Sequence, residues 1–186
     1  MKHKPRSVSK APDPRSERTR GLITSAFVEL LGRRGYDRIR VSDITRKAHV
    51  GRATFYAHFA SKDALLKSEL NRVVVPMLVA RHEDRCLIDC TMLFAHIQRG
   101  RALYRSVMAG STRVITERLV QDVLEARVGS ILAARRAAIP PTEEFVPRFV
   151  ASTILTLLAW SLEKPTSAAA SELQGTFQSL VGGAMG

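Results

Sequence analysis

Apolar residues along this chain recur mainly at three- and four-residue spacings, the pattern of amphipathic helices. Runs that alternate apolar and polar residues are scarce. The pattern therefore predicts an all-α protein of about nine helices. The first helix begins near Ser16 and ends before Gly35, with its apolar positions at Leu22, Ile23, Ala26, Phe27, Leu30 and Leu31.

Two short helices should follow the first. Arg40 or Ser42 precedes the second, and Asp43 in its first turn is favoured by the helix dipole. A break at 49–51 separates it from a third helix over Arg52–His58. That segment is too short to be stable alone, since isolated helices below about 12 residues are marginal in water, so its neighbours must hold it.

The rest of the chain predicts a larger helical domain. A fourth helix is capped by Ser61 and runs to about His82, and further helices are expected near 87–98, 101–109, 113–137, 144–163 and 168–182. The expected domains are a disordered basic arm at 1–15, a compact unit at 16–60 and a second domain at 61–186.

Positive charge is concentrated in the first third of the chain. Residues 1–62 contain 15 Lys or Arg against 5 Asp or Glu, whereas the remaining 124 residues contain 14 against 12. Concentrated basic charge beside a compact helical unit is typical of nucleic-acid binding. A basic surface that is merely solvated is the alternative, and charge alone does not separate the two.

The order helix, tight turn, short helix is that of a helix-turn-helix, whose second helix lies in the DNA major groove. Phe55 and Phe59, four residues apart, can anchor the short helix to the helices behind it. Arginine can donate hydrogen bonds to guanine and phosphate, while hydroxyl groups suit phosphate. The side chains left for the outer surface are Arg52, Ala53, Thr54, Tyr56 and His58.

From Thr19 to Leu66 the sequence resembles the TetR family of transcriptional regulators. The resemblance depends on Gly35-Tyr36, Asp43-Ile44, Ala48, Val50, Thr54-Phe55-Tyr56, His58-Phe59, Lys62 and Leu65. It implies an N-terminal three-helix DNA-binding unit, a larger helical ligand-binding and dimerisation domain, and a homodimer on double-stranded operator DNA. Lys62, at the start of the fourth helix, would then hold phosphate together with the first amides of that helix.

Three positions depart from the usual pattern of the family. His49 replaces a Gly in the turn, which remains possible because His is enriched in left-handed backbone. Gly51 replaces a capping Ser, and Arg40 stands where a Thr or Ser usually caps the second helix. Arg40 could instead reach a phosphate, and Ser42 is placed with it among the DNA-binding residues.

The later segments LFAHIQRGRALYRSVMAG and RFVASTILTLLAWSLEKP resemble one subgroup of TetR-like second domains. Soft Met and aromatic side chains suit an adaptable pocket for a small apolar effector, although core packing is the alternative for each residue alone. The candidate ligand-binding residues are Met77, Met92, Phe94, Tyr104, Met108, Phe149 and Trp160.

The last two helices resemble the pair that forms the four-helix bundle of the family's dimer. The final helix carries an apolar stripe, which is the pattern of a packed face. The candidate dimer-interface residues on the two helices are Ile154, Leu158, Leu173, Phe177, Leu180 and Val181.

His82, Cys86 and Cys90 would share one face of a continuous helix, being spaced four residues apart. Such a set can bind zinc or sense redox state. Free cysteines, however, are commonly small buried apolar residues, and structural zinc ligands usually come in pairs joined by turns. We therefore expect no metal site and no cofactor, and leave sensing by these residues as the alternative.

The sequence lacks the motifs of common enzymes, including the Walker loop, Gly-x-Ser-x-Gly and His-Glu-x-x-His, so an enzyme is not expected. The longest apolar run, Phe149 to Leu162, is too short for a membrane span, and the N-terminus lacks the apolar core of a signal peptide. We expect a cytoplasmic, sequence-specific transcriptional regulator, most simply a repressor released by a small apolar ligand. The alternatives are a non-specific nucleic-acid-binding protein and a specific DNA binder whose second domain takes no ligand.

Overall fold

The computed structural model describes residues 13–81, 88–108, 113–134, 145–163 and 168–182, and these parts of the chain are mostly helical. The first helix, α1, spans Pro14–Arg34, beginning two residues before the predicted start because the Asp13 carboxylate accepts a hydrogen bond from the Arg15 amide at 3.0 Å. It ends at Gly35, whose φ of 73° requires glycine. A β-carbon at Gly35 would lie 3.2 Å from the Ser106 hydroxyl, so this end of α1 lies close to α6, the helix over Arg101–Val107.

The three helices that follow α1 come in the predicted order. They are α2 over Val41–Ala48, α3 over Arg52–His58 and α4 over Lys62–Val74. The Ser61 hydroxyl caps α4 by accepting a hydrogen bond from the Ala64 amide at 3.0 Å. The predicted extension of α4 to His82 is wrong. Pro76 lacks an amide hydrogen, and the helix gives way to a 3-10 turn at Val75–Met77.

A short strand pair follows α4 and was not predicted. Strands β1 at Val79–Ala80 and β2 at Ile88–Asp89 are antiparallel. The side chain of Gln174 bonds to β2 and to the residue after it: its amide donates to the Ile88 carbonyl at 3.0 Å, and its oxygen accepts from the Cys90 amide at 2.8 Å. The helix predicted from residue 87 therefore begins at Thr91. The remaining helices are α5 over Thr91–Arg99, α6, α7 over Arg113–Ala134, α8 over Val146–Glu163 and α9 over Ala170–Gly182.

Buried apolar side chains form two cores that meet along α4. The first core joins α1, α2, α3 and the start of α4, and it includes Val107 of α6. The second core joins the end of α4 with α5, α7, α8 and α9. Leu70 packs against both cores, so α4 and α6 connect the two halves of the protein. Within the described ranges, no helix is both long and apolar enough to cross a membrane.

Candidate nucleic-acid interface

The turn between α2 and α3 has the geometry of a helix-turn-helix. His49 takes the left-handed conformation at φ 54° and ψ 42°, as predicted from its place in the turn. The Val50 amide then donates to the Thr45 carbonyl at 3.0 Å, which closes the end of α2 before Gly51 starts α3. A left-handed residue other than glycine costs about 1–2 kcal/mol, which the surrounding core must offset.

Buried aromatic side chains hold α3 against the rest of the protein. Phe55 is fully buried and Phe59 nearly so, and their ring centres lie 6.0 Å apart. The guanidinium of Arg20, on α1, lies 4.7 Å from the centre of the Phe59 ring and also donates to the Ser68 hydroxyl at 2.6 Å. The side chains of α1 and α4 thus fix the orientation of a helix that could not form alone.

Fixing Phe55 inward directs the predicted face of α3 outward. Arg52, Ala53 and Tyr56 are exposed, Tyr56 at 49%, whereas Thr54 and His58 are half-buried. Ala57, which was not among the residues predicted for this surface, is also exposed. A small side chain beside Tyr56 keeps this face shallow, so the helix backbone can approach a groove closely.

Arg40 lies directly before α2, the first helix of the helix-turn-helix. The Asp43 carboxylate accepts a hydrogen bond from the Arg40 amide at 2.9 Å, an interaction that caps α2 although arginine has no side-chain acceptor. The Arg40 side chain is therefore not needed as a cap, and residue 40 is exposed. Ser42 is half-buried, and its carbonyl accepts from the Thr45 hydroxyl at 3.2 Å.

A basic recess between α1 and α2 was not predicted. Its volume is about 200 Å³, and Asp43 is its one acidic lining residue. Arg46, with its side chain 79% exposed, lies 3.9 Å from the Asp43 carboxylate, and Lys47 pairs with Glu29 at 2.7 Å. Only the charge count of the first 62 residues indicated such a surface. The basic side chains that line it are Arg33, Arg34, Arg46 and Lys47.

Lys62 faces into the protein rather than away from it. Its ammonium donates to the carbonyls of Tyr36 and Ile39, both at 3.0 Å, and lies 4.0 Å from the centre of the Tyr36 ring. The Tyr36 hydroxyl in turn donates to the Asp63 carboxylate. Burial lowers the pKa of Lys62 and, together with the bond to Asp63, raises that of Tyr36. An ammonium has three hydrogens, so at most one remains for phosphate.

Lys62→Ala should therefore lower the free energy of unfolding of the N-terminal unit. The salt dependence of DNA binding should change little. Two carbonyls lose a charged donor, which should cost about 1–3 kcal/mol of unfolding free energy. Urea unfolding measures this loss, with exposed Lys67→Ala as the matched control. Unchanged stability, with a salt slope smaller by about one unit, would instead assign Lys62 to phosphate contact.

The second domain contains an apolar cavity, but most of the predicted ligand-binding residues do not line it. The cavity has a volume of about 290 Å³ and is walled by α1, α4, α5, α6, α7 and α8, with Tyr104 and Met108 among its lining residues. Phe94 is fully buried, and Met77 packs against the second core. Met92, Phe149 and Trp160 lie on the surface at 61%, 38% and 44% exposure. Their residue types suggested that they line a pocket, but their positions on the helices direct their side chains to the protein surface.

The predicted dimer stripe also needs correction. Ile154, Leu158, Leu173, Phe177 and Val181 are at most 6% exposed within the single chain, because α9 packs against α5 and α8. Side chains already covered by their own chain are not available to a partner. Leu180, at 53% exposure, is the one member of the predicted set that lies on the surface.

Strand β2, at Ile88–Asp89, directly precedes Cys90, so Cys90 does not continue a helix from the residues before it. His82 and Cys86 lie outside the described residues. Cys90 is fully buried and directly precedes α5. Among the residues that the structure describes, no three His, Cys, Asp or Glu side chains are grouped in a way that could hold a metal ion.

Residues 23–68 match the model of the family described as bacterial regulatory proteins, tetR family. The chain is similar to YxbF of Bacillus subtilis, described as an uncharacterized HTH-type transcriptional regulator, with 43% identity over 68 residues. Those residues are 36% of this chain and 18% of YxbF, so the likeness covers only a minor part of either protein.

Solved structures resemble the chain over nearly its whole length. A TetR transcriptional regulator from Streptococcus agalactiae has a TM-score of 0.60 and 22% identity, covering 90% of this chain and 95% of that one. Lin0861 from Listeria innocua has a TM-score of 0.67 and 19% identity, covering 96% and 94%. At these identities the likeness shows a shared fold, in which a helix-turn-helix unit precedes a helical second domain.

Proposed function

Because this chain belongs to the TetR family of bacterial transcriptional regulators, we propose that it is a homodimeric repressor that binds operator DNA and is released by a small apolar ligand. The observation that carries the proposal is the outward face of α3. Buried Phe55 fixes this short helix, and Arg52, Ala53 and Tyr56 stand exposed on it after a left-handed turn. An exposed second helix in a helix-turn-helix lies in the major groove.

Each polar group on this surface suits one part of a DNA site. Arg52 can donate two hydrogen bonds to a guanine, whereas the Tyr56 hydroxyl and the Arg40 guanidinium suit phosphates on either side. The basic recess of Arg33, Arg34, Arg46 and Lys47 adds positive potential around the site. With DNA as its partner, the protein would act in the bacterial cytoplasm.

The outer surface of α8 and α9 supports a homodimer. Phe149 and Trp160 of α8 and Leu180 of α9 each expose a large apolar side chain, which a partner subunit would cover. A β-carbon added at Gly175 of α9 would meet nothing within 4 Å, and Thr176 and Ser179 are exposed beside it. Small residues on that side allow a partner helix to pack closely. These residues replace the buried stripe as our proposed interface.

The position of the cavity supports release by a ligand. Its wall includes Val28 and Leu31 of α1, together with side chains from α4 and α6. The Ser106 hydroxyl of α6 donates to the Leu31 carbonyl at 3.3 Å, so a shift of α6 would act on α1 directly. A ligand that prefers one spacing of the two α3 helices then weakens DNA binding by as much as DNA weakens ligand binding.

Competition with bulk DNA separates this proposal from a non-specific nucleic-acid-binding protein. The purified protein is mixed with a labelled fragment from upstream of its own gene, at physiological salt, while unlabelled bulk DNA is added. Specific binding should survive roughly a thousandfold excess of bulk DNA. Equal displacement from upstream and scrambled fragments would support the non-specific alternative. A reporter that rises rather than falls when the protein is expressed would make it an activator.

A further inference from the structure

The cavity described above has walls made almost entirely of hydrocarbon. Leucine and valine side chains from α1, α4, α6, α7 and α8 form most of its surface, among them Leu66, Leu103, Val120 and Leu155. Its volume of about 290 Å³ is roughly twice that of the 150 Å³ engineered cavity that admits benzene. Space of this size suits a two-ring molecule.

Two polar side chains lie together in this hydrocarbon wall. The rings of His96 and Tyr104 meet edge to face with their centres 5.7 Å apart, and both residues line the cavity. No described residue forms a hydrogen bond with the Tyr104 hydroxyl or the His96 ring. Burial raises the pKa of Tyr104, which therefore keeps its hydrogen at neutral pH. Burial, together with Arg99 nearby, lowers the pKa of His96 below its usual 6.5 and keeps the ring uncharged.

Together, Tyr104 and His96 can form two hydrogen bonds with a single ligand hydroxyl group. Tyr104 donates a hydrogen bond, and a neutral imidazole accepts one at the nitrogen that carries no hydrogen. A hydroxyl both accepts and donates, so it can bond to the two side chains at once. The rest of the wall is mostly hydrocarbon, so a ligand that covered both side chains without bonding to them would lose affinity.

A buried carboxylate on the same wall disfavours anions. Glu69 is 8% exposed, and both hydrogen bonds that it receives from Arg72, at 2.7 and 3.0 Å, end on one of its oxygens. Arg72 is the one positively charged side chain among the described residues that line the cavity, and Glu69 already neutralises it. An anionic ligand would have to lose its water beside Glu69 with no cation to replace it.

We propose that the cavity binds an uncharged, mostly hydrocarbon molecule of about two rings that carries one hydroxyl group, which Tyr104 and His96 recognise, and that Glu69 rejects carboxylates. This inference rests on the proposed release by a ligand and specifies its chemistry. Ligand class and DNA release can be tested separately.

Three probes of equal ring size isolate each part of the proposal: 2-naphthol, naphthalene and 2-naphthoate. Calorimetry on the full chain should give the tightest binding for 2-naphthol, a roughly 2- to 12-fold weaker binding for naphthalene, and at least about tenfold weaker binding for the anion. Tyr104→Phe should weaken the binding of 2-naphthol, which keeps only its bond to His96, and should leave the binding of naphthalene unchanged. Glu69→Gln should improve 2-naphthoate alone.

Two further variants serve as controls. Ala159→Trp fills the cavity and should abolish binding of all three probes, whereas Met92→Ala changes an exposed residue outside it and should alter none. The proposal is overturned if a folded wild-type protein binds no probe, if 2-naphthoate binds as tightly as 2-naphthol, or if Tyr104→Phe changes nothing. If 2-naphthol binds as described while operator affinity stays constant, the ligand class stands and release by this site fails.

Discussion

A carboxylate at Phe177 should unfold the second domain, whereas the same charge at Leu180, three residues later on α9, should leave the fold intact and separate the dimer. Phe177 is 2% exposed, and losing its ring alone should cost about 3–5 kcal/mol before the buried charge is added. That is a large part of the roughly 5–15 kcal/mol that stabilises a typical domain. Leu180 is 53% exposed, so Leu180→Asp should change monomer stability by no more than about 0.5 kcal/mol.

Urea unfolding and sedimentation measure the two effects separately. Phe177→Asp should show loss of cooperative unfolding, and Leu180→Asp should show a normal transition with monomers in place of dimers. If Phe177→Asp folds normally as a monomer, the stripe of α9 is the interface after all. If Leu180→Asp remains a dimer, the partner surface lies elsewhere.

Removing both polar groups from the outward face of α3 should nearly abolish specific DNA binding without affecting the fold. Arg52→Ala loses a base contact of about 1–3 kcal/mol, and Tyr56→Ala loses a phosphate contact of about 1 kcal/mol. The double variant should therefore bind its operator roughly 30- to 1000-fold more weakly. Arg52 is exposed, whereas the Tyr56 ring is half exposed and lies edge to face with Phe55, their centres 5.4 Å apart. The unfolding free energy should therefore fall by no more than about 1.5 kcal/mol.

Fluorescence anisotropy with a labelled operator fragment measures this loss. Arg99→Ala is the matched control, because it removes the same charge from an exposed position on α5 and should leave DNA affinity close to that of the wild type. Equal affinity of the double variant and the wild type would show that α3 does not contact the DNA through this face.

Local sequence determined much of the N-terminal unit. The spacing of Phe55 and Phe59 predicted which side of α3 is buried, and the structure confirms it. The turn at His49 and the cap at Ser61 were also predicted correctly, since backbone conformation and capping depend on a few adjacent residues. Lys62 differs because its partners are the carbonyls of Tyr36 and Ile39, more than twenty residues away, and no local pattern indicates them.

The second domain was predicted less well because periodicity shows that a helix face is covered but not what covers it. Phe177 and Val181 lie on a genuine apolar stripe, yet α5 and α8 of the same chain cover it rather than a partner. The lining of the cavity was mispredicted for the same reason. Its wall is assembled from Leu and Val side chains on six helices, whereas residue type pointed to Trp160 and Met92, which are exposed. Such assignments depend on tertiary packing.

Hydroxyl-radical footprinting of the protein on its upstream DNA tests most directly whether a dimer reads a specific site through α3. Two protected half-sites should appear, with centres separated by one helical turn of about 10 base pairs or a multiple of it, and the Arg52→Ala/Tyr56→Ala variant should protect neither. Protection spread evenly along the fragment, or a wild-type pattern with the double variant, would contradict specific DNA binding by the outward face of α3.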